Sequence, residues 1–262
     1  MTILYTPSTI NIQILNFLTK GLKKCQINLT ERSISIFLTH ILYNNIIYIM
    51  NKSKLKVKNI ETQVKDTTLV EQRRREIVEA AVRLFIKKGF HKTTTREIAK
   101  VAGFSIGSLY EYIGSKEDVL FLVCDAILVA GKKNVAESLK HSQGKKDDLS
   151  VMIREYFLVC DKMSDYILLV YQETKSLPLK WQKVVLEKDT EITGLFIEAF
   201  EGLIKSGVLP QMDKLVIELL AQNIAILGHM WALRRWSFAG NYNIEEYAKI
   251  QTDFIYKACI AK

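Results

Sequence analysis

Only three prolines punctuate the chain, Pro7, Pro178 and Pro210, and that scarcity constrains the fold more than any other feature. Residues 72–262 run in long stretches without turn dipeptides or β-branched alternation, the pattern of helices joined by short loops. The expected fold class is therefore all-α. Gly144, Pro178, Gly207 with Pro210, and Gly240 divide the back of the chain into helices near 116–141, 147–163, 164–176, 178–206, 212–238 and 243–261. With 262 residues, 48% of them hydrophobic, the chain buries a core without a disulfide or a metal. Cys25, Cys124, Cys160 and Cys259 stand far apart in no CxxC pair and read as reduced thiols of a cytoplasmic protein.

Charge is distributed unevenly. Lys plus Arg against Asp plus Glu runs 4 to 1 over residues 1–49, 5 to 2 over 50–70, 10 to 7 over 71–118 and 18 to 18 over 119–262. The whole net charge of +9 thus lies in front of residue 119. A basic front and a neutral back imply a polyanion partner for the front, with nucleic acid first and an anionic membrane surface second. Residues 1–49 carry no sustained period and no cleavage site, and read as an extension, misassigned or poorly ordered, upstream of a conventional start at Met50. Their best membrane candidate, residues 33–49, is short and holds His40, Asn44 and Asn45, so stable insertion is not expected. Residues 50–70, with Lys52, Lys54, Lys56, Lys58 and Lys65, read as a flexible basic arm.

From Gln72 the pattern sharpens. Ile77, Ala80, Ala81, Leu84 and Phe85 form one apolar stripe on a helix whose other faces carry Arg73, Arg74, Arg75 and Arg83, and Gly89 closes it as a left-handed cap. Thr94 to Glu97 spells a capping box that starts a second helix ending at Gly103. Ser105 caps a third helix, expected over 106–113, and Ser115 to Asp118 opens a fourth. Two short helices joined by a tight glycine turn make a helix-turn-helix, whose second helix fits the major groove while the first braces it on the backbone. Gly107 leaves room for close approach of DNA; Ser105, Ser108, Tyr110 and Tyr112 offer hydroxyls. Thr94 and Thr95 sit at a helix N-terminus suited to a phosphate, and Lys116 is placed for the same strand.

Residues 73–120, RRREIVEAAVRLFIKKGFHKTTTREIAKVAGFSIGSLYEYIGSKEDVL, resemble the DNA-binding domain of tetracycline-repressor-like (TetR/AcrR) transcription regulators. The resemblance implies a homodimeric all-helical repressor with a three-helix DNA-binding domain, expected at 71–115. It further implies a larger C-terminal domain, expected at 116–262, that dimerises and binds a small hydrophobic or aromatic inducer. It places DNA contact on Thr94, Thr95, Ser105, Gly107, Ser108, Tyr110, Tyr112 and Lys116. Ile106 and Glu111 depart from the family's usual basic or polar residues, and Ile106 is suited to a thymine methyl. The partner implied is a pseudo-palindromic operator, and the last two helices of each subunit are the implied dimer interface.

The middle helices are rich in large side chains, which fill either core or pocket. Tyr156, Tyr171, Trp181, Phe200, Asn223 and His229 are the candidate ligand residues, with Glu173, Lys175 and Gln222 as further polar groups in apolar helices. Arg234 and Arg235 are expected to pair with acids across a dimer. His40, His91, His141 and His229 form no metal spacing, and no GxSxG, Walker lysine loop or GxGxxG follows a strand, so neither an enzyme nor a cofactor is indicated. The alternative reading is a membrane-attached or partner-binding helical protein that uses its basic front.

Overall fold

A computed structural model describes residues 60–139 and 148–260. The extension at 1–49, the lysines at 52–58, His141 and Gly144 lie outside them. Among the described residues ten α-helices and one 3-10 turn account for the regular structure, with no strand. They are α1 Thr67–Lys88, α2 Thr95–Ala102, α3 Ile106–Tyr110, α4 Lys116–Leu139 and α5 Asp148–Lys162, then α6 Ser164–Glu173, α7 Leu179–Lys205, α8 Lys214–Leu233, α9 Arg235–Phe238 and α10 Ile244–Ile260.

The first helix begins earlier than expected. Asp66 caps it by accepting from the Thr68 and Leu69 amides at 2.9 and 3.1 Å, so residues 67–70 are helix. Residues 60–66 are not a free arm either: Ile60 is buried, and Arg74 donates to the carbonyls of Ile60 and Tyr112, both at 2.9 Å. Burial lowers the Arg74 pKa, and these carbonyls are what its guanidinium receives in place of water. Arg74 is therefore a tie between segments, although it lies off the apolar stripe of the helix.

Ile77, Ala80, Ala81 and Phe85 form the stripe that buries α1 against α2 and α4. This front core continues without interruption through the first turns of α4, from Val119 to Leu128, onto α6 and Trp181. A second core gathers α5, α7, α8 and α10 around Phe157, Phe196 and Phe200. The helix expected at 212–238 breaks at Arg234, which ends α8 in a non-helical conformation before the single turn of α9. Arg235 lies 3.9 Å from Asp161 of the same chain, so this arginine has an intrachain acid.

Gly89 has φ +84° and ψ 159°. That is not the expected left-handed cap but a conformation essentially reserved for glycine. It turns the chain so that Phe90 packs edge-on to Phe85, with ring centroids 5.4 Å apart.

Candidate functional site

The helix-turn-helix is built from local capping. Thr94 accepts from the Glu97 amide while the Glu97 carboxylate accepts from the Thr94 amide at 2.9 Å, closing the expected capping box. The Lys88 ammonium donates to the same carboxylate at 2.5 Å, and these bonds hold Glu97 down at about 2. Gly103 ends α2, and Ser105 caps α3 by accepting from the Ser108 amide at 3.0 Å. Ser115 opens α4 by accepting from the Asp118 amide at 3.1 Å.

On the outer face, Ser105, Ile106, Gly107 and Tyr110 are exposed, and a Cβ at Gly107 would meet nothing nearer than Ser105 Oγ at 3.8 Å. The Tyr110 hydroxyl lies 3.2 Å from Thr95 Oγ1, so α2 and α3 present one continuous hydroxyl-bearing surface. Thr94 is exposed beside it, and Ser108 is half-buried with its hydroxyl 3.0 Å from Ser105 Oγ.

Two expected DNA contacts are corrected. Tyr112 is only 7% exposed and packs toward Phe104, with centroids 6.2 Å apart. The reason is that α3 ends at Tyr110 and not at residue 113. The Gln63 amide and Thr62 hydroxyl take the Glu111 carbonyl, Arg74 takes the Tyr112 carbonyl, and Ile113 enters the core. Lys116 is half-buried: its ammonium donates to the Phe90 and Thr93 carbonyls at 3.2 and 3.1 Å and sits 4.2 Å from the centre of the Phe90 ring. It braces the start of α4 against the loop before α2.

Behind this domain α4, α5, α6, α7 and α8 enclose a cavity of about 40 Å³. Of the six ligand candidates, Tyr156, Tyr171 and His229 line it. The other three ligand candidates do not. Trp181 stacks on Phe121 at 4.0 Å within the front core. Phe200 is fully buried in the rear core, and Asn223 is exposed, as is Gln222. Their helices bury other faces toward the cavity, which spacing along one helix does not reveal. Sequence reasoning missed Asp189, Cys160 and Gly131 on the cavity wall. An acid in the middle of the amphipathic α7 was the one available signal for Asp189.

Inside the cavity, the Tyr171 hydroxyl and His229 Nδ1 are 3.0 Å apart, and the Tyr156 hydroxyl donates to the Ala225 carbonyl at 3.0 Å. Burial lowers the His229 pKa and raises that of Asp189, while the Cys160 thiol is pushed up to about 12 by burial and is inert.

Glu173 joins the two regions. Two residues beyond Tyr171 on α6, its carboxylate accepts from the Phe90 amide at 3.4 Å and lies 3.9 Å from His91 Nε2. The sequence offered Glu173 as a ligand residue; its position makes it a contact between α6 and the DNA-facing domain. Lys175, in the turn after it, does not line the cavity either.

Residues 77–123 match the family model described as bacterial regulatory proteins, tetR family. The chain is similar to the HTH-type transcriptional regulator HbdR of Aromatoleum sp. (strain CIB), 28% identical over 192 residues that cover 73% of this chain and 82% of that protein. Among solved structures, a putative transcriptional regulator from Pseudomonas aeruginosa PAO1 is similar with a TM-score of 0.60 at 18% identity, over 72% of this chain and 90% of that one. AibR, solved in complex with isovaleryl coenzyme A and operator DNA, is similar with a TM-score of 0.55 at 20% identity, over 70% of this chain and 96% of that one.

Proposed function

The chain belongs to the tetR family of bacterial transcriptional regulators, and from that premise we propose that it is a cytoplasmic homodimeric repressor released from its operator by a small, largely apolar ligand. The observation that carries the reading is the exposed α3 surface of Ser105, Ile106, Gly107 and Tyr110, continued by Thr95 of α2. In a dimer the two copies of α3 enter successive major grooves of a pseudo-palindrome about one helical turn apart. Tyr110, Ile106 and Ser105 meet base edges, Gly107 admits the backbone, and Thr94, Thr95 and Ser108 meet phosphates. Lys116 acts from beneath by fixing the loop that carries Thr93 and Thr94.

The cavity is the ligand site in this reading. AibR, similar in fold, was solved in complex with isovaleryl coenzyme A and operator DNA, so a protein of this fold takes both a small molecule and an operator. A ligand that parts Tyr171 from His229 shifts α6, and Glu173 on the same helix carries the shift to Phe90 and His91. The linker helix α4 carries it to the same loop through Lys116. Release is then a population shift between two separations of the recognition helices.

The test is fluorescence anisotropy of the full chain against the DNA upstream of its own gene and a scrambled control, at two salt concentrations. Preference for the upstream DNA that persists at higher salt is the expected result. Equal, salt-labile binding to both would reduce the interaction to charge attraction.

A further inference from the structure

We propose that the lysine run at residues 52–58 is a DNA-contacting arm that occupies the minor groove next to the major groove entered by α3. This rests on the reading of the chain as an operator-binding regulator and adds a second contact to it. The described residues fix where the arm begins. Ile60 is buried, and the Arg74 guanidinium donates to the carbonyls of Ile60 and Glu61 at 2.9 and 3.4 Å while its Nε donates to the Tyr112 carbonyl at 2.9 Å. The Thr62 hydroxyl and the Gln63 amide both donate to the Glu111 carbonyl, at 2.8 and 3.3 Å. Residues 60–63 are thus fastened to the two residues that follow Tyr110, the last residue of α3. The chain in front of Ile60 therefore starts beside the end of the recognition helix.

That end of the domain is short of positive charge. Residues 101–115 hold no lysine or arginine and one acid, Glu111. Lys88 is paired with Glu97, and Lys116 with the Phe90 and Thr93 carbonyls. The exposed cations of the helix-turn-helix, Lys92, Arg96 and Lys100, stand before or on α2. Neutralised phosphates supply the sequence-independent part of DNA affinity, and α3 brings no cation to them. Residues 50–60 bring Lys52, Lys54, Lys56 and Lys58 with no acid among them. Lysines at every second position share one side of an extended chain. Covalent geometry lets Lys52 stand up to about 29 Å from Ile60, within the roughly 34 Å of one turn of DNA. With α3 in the major groove, the next groove along the duplex is the minor one, about 6 Å wide, which excludes a helix and admits an extended arm. Its negative potential, strongest where A·T tracts narrow it, draws lysine in.

The experiment is anisotropy of the full chain over a salt series on two duplexes of equal length, the DNA upstream of its own gene and a scrambled A·T-rich control. The arm variant combines Lys52→Gln, Lys54→Gln, Lys56→Gln and Lys58→Gln. A charge-matched variant changes Lys162, Lys175, Lys183 and Lys205, exposed in the rear of the chain, to Gln, and thermal unfolding confirms that both are folded. The arm variant is expected to make log K against log[salt] shallower by about 3–4 per chain on both duplexes, and the rear variant to leave that slope within about 1. Netropsin, which fills A·T minor grooves, should weaken the parent on the control duplex toward the affinity of the arm variant, and leave the arm variant within about twofold of its own value. An equal slope in parent and arm variant, an equal fall in the arm and rear variants, or a netropsin effect of the same size on parent and arm variant overturns the proposal. So does loss of binding to phosphatidylglycerol vesicles in the arm variant with its DNA slope unchanged, which would assign the lysines to a membrane surface. The arm's contacts are independent of sequence. A slope that falls on both duplexes without any preference for the upstream DNA would therefore sink the operator reading and leave the arm's DNA contact standing.

Discussion

Tyr110 and Tyr112 are two residues apart, and the end of α3 between them gives the two rings opposite roles. Tyr110 is 45% exposed beside Thr95, whereas Tyr112 is 7% exposed and packs toward Phe104. Tyr110→Ala is expected to weaken operator binding by about 1–3 kcal/mol with little change in unfolding. Tyr112→Ala is expected to cost about 3–5 kcal/mol of stability, the scale of a large aromatic truncated in a core. Anisotropy and denaturant unfolding on both variants check the pair, and the reverse assignment would place α3 wrongly. Glu97 makes a pH prediction with a definite sign. Its carboxyl is held at about 2 by the bonds from Lys88 and Thr94, against an ordinary value of 4.5. A carboxyl depressed on folding stabilises above its unfolded value and loses that contribution as pH falls through the folded one. The start of α2 should therefore keep its cap through neutral pH and fray between about pH 4.5 and 2. Glu97→Gln should flatten that acid limb, followed by the amide resonances of Thr94 and Glu97.

At the scale of elements, the cavity depends on how closely α8 crosses α5. A Cβ built at Gly228 would run into the ring of Tyr156 and stand 2.8 Å from Cys160 Sγ. The Tyr156 hydroxyl is anchored to Ala225 on the same face of α8, so the ring has no easy retreat. Gly228→Ala should therefore destabilise the protein by about 1–3 kcal/mol through overpacking. It should also drive the two helices apart at the cavity. An unchanged melting temperature would contradict the crossing. The same wall explains why α6, a helix of 10 residues, matters beyond its size: Tyr171 faces His229 while Glu173 faces Phe90 and His91.

For the whole molecule, the informative surface is apolar. Leu215 and Leu219 on α8 and Ile250 and Phe254 on α10 are exposed, Phe254 by 72% and Leu215 by 76%. Large apolar side chains left exposed on these two helices are what a dimer interface would cover. These are the helices proposed for the dimer. Leu219→Glu with Phe254→Glu is expected to yield monomers by sedimentation equilibrium. Operator affinity should fall by about 100-fold or more, because each half-site then binds alone. Retention of a dimer by this variant would move the interface elsewhere.

How much of this was legible in one dimension follows from the range of the forces involved. The helical class, the caps at Thr94, Ser105 and Ser115 and the stripe of Ile77, Ala80, Ala81 and Phe85 depend on neighbours within a few positions, and the sequence determined them. Local spacing does not determine which carbonyls Arg74 would satisfy, or that Tyr112 would turn inward once its helix had ended. It brought Tyr156, Tyr171 and His229 forward as candidates, but an acid in the middle of α7 was its one signal for Asp189, which lines the same cavity from 18 to 40 residues away in the chain. Trp181, Phe200 and Asn223 looked equally suited because composition does not distinguish a ring in a core from one beside a cavity. Only the tertiary structure chose between them, since burial depends on which helices cross and how closely, and at Gly228 that distance depends on a missing side chain.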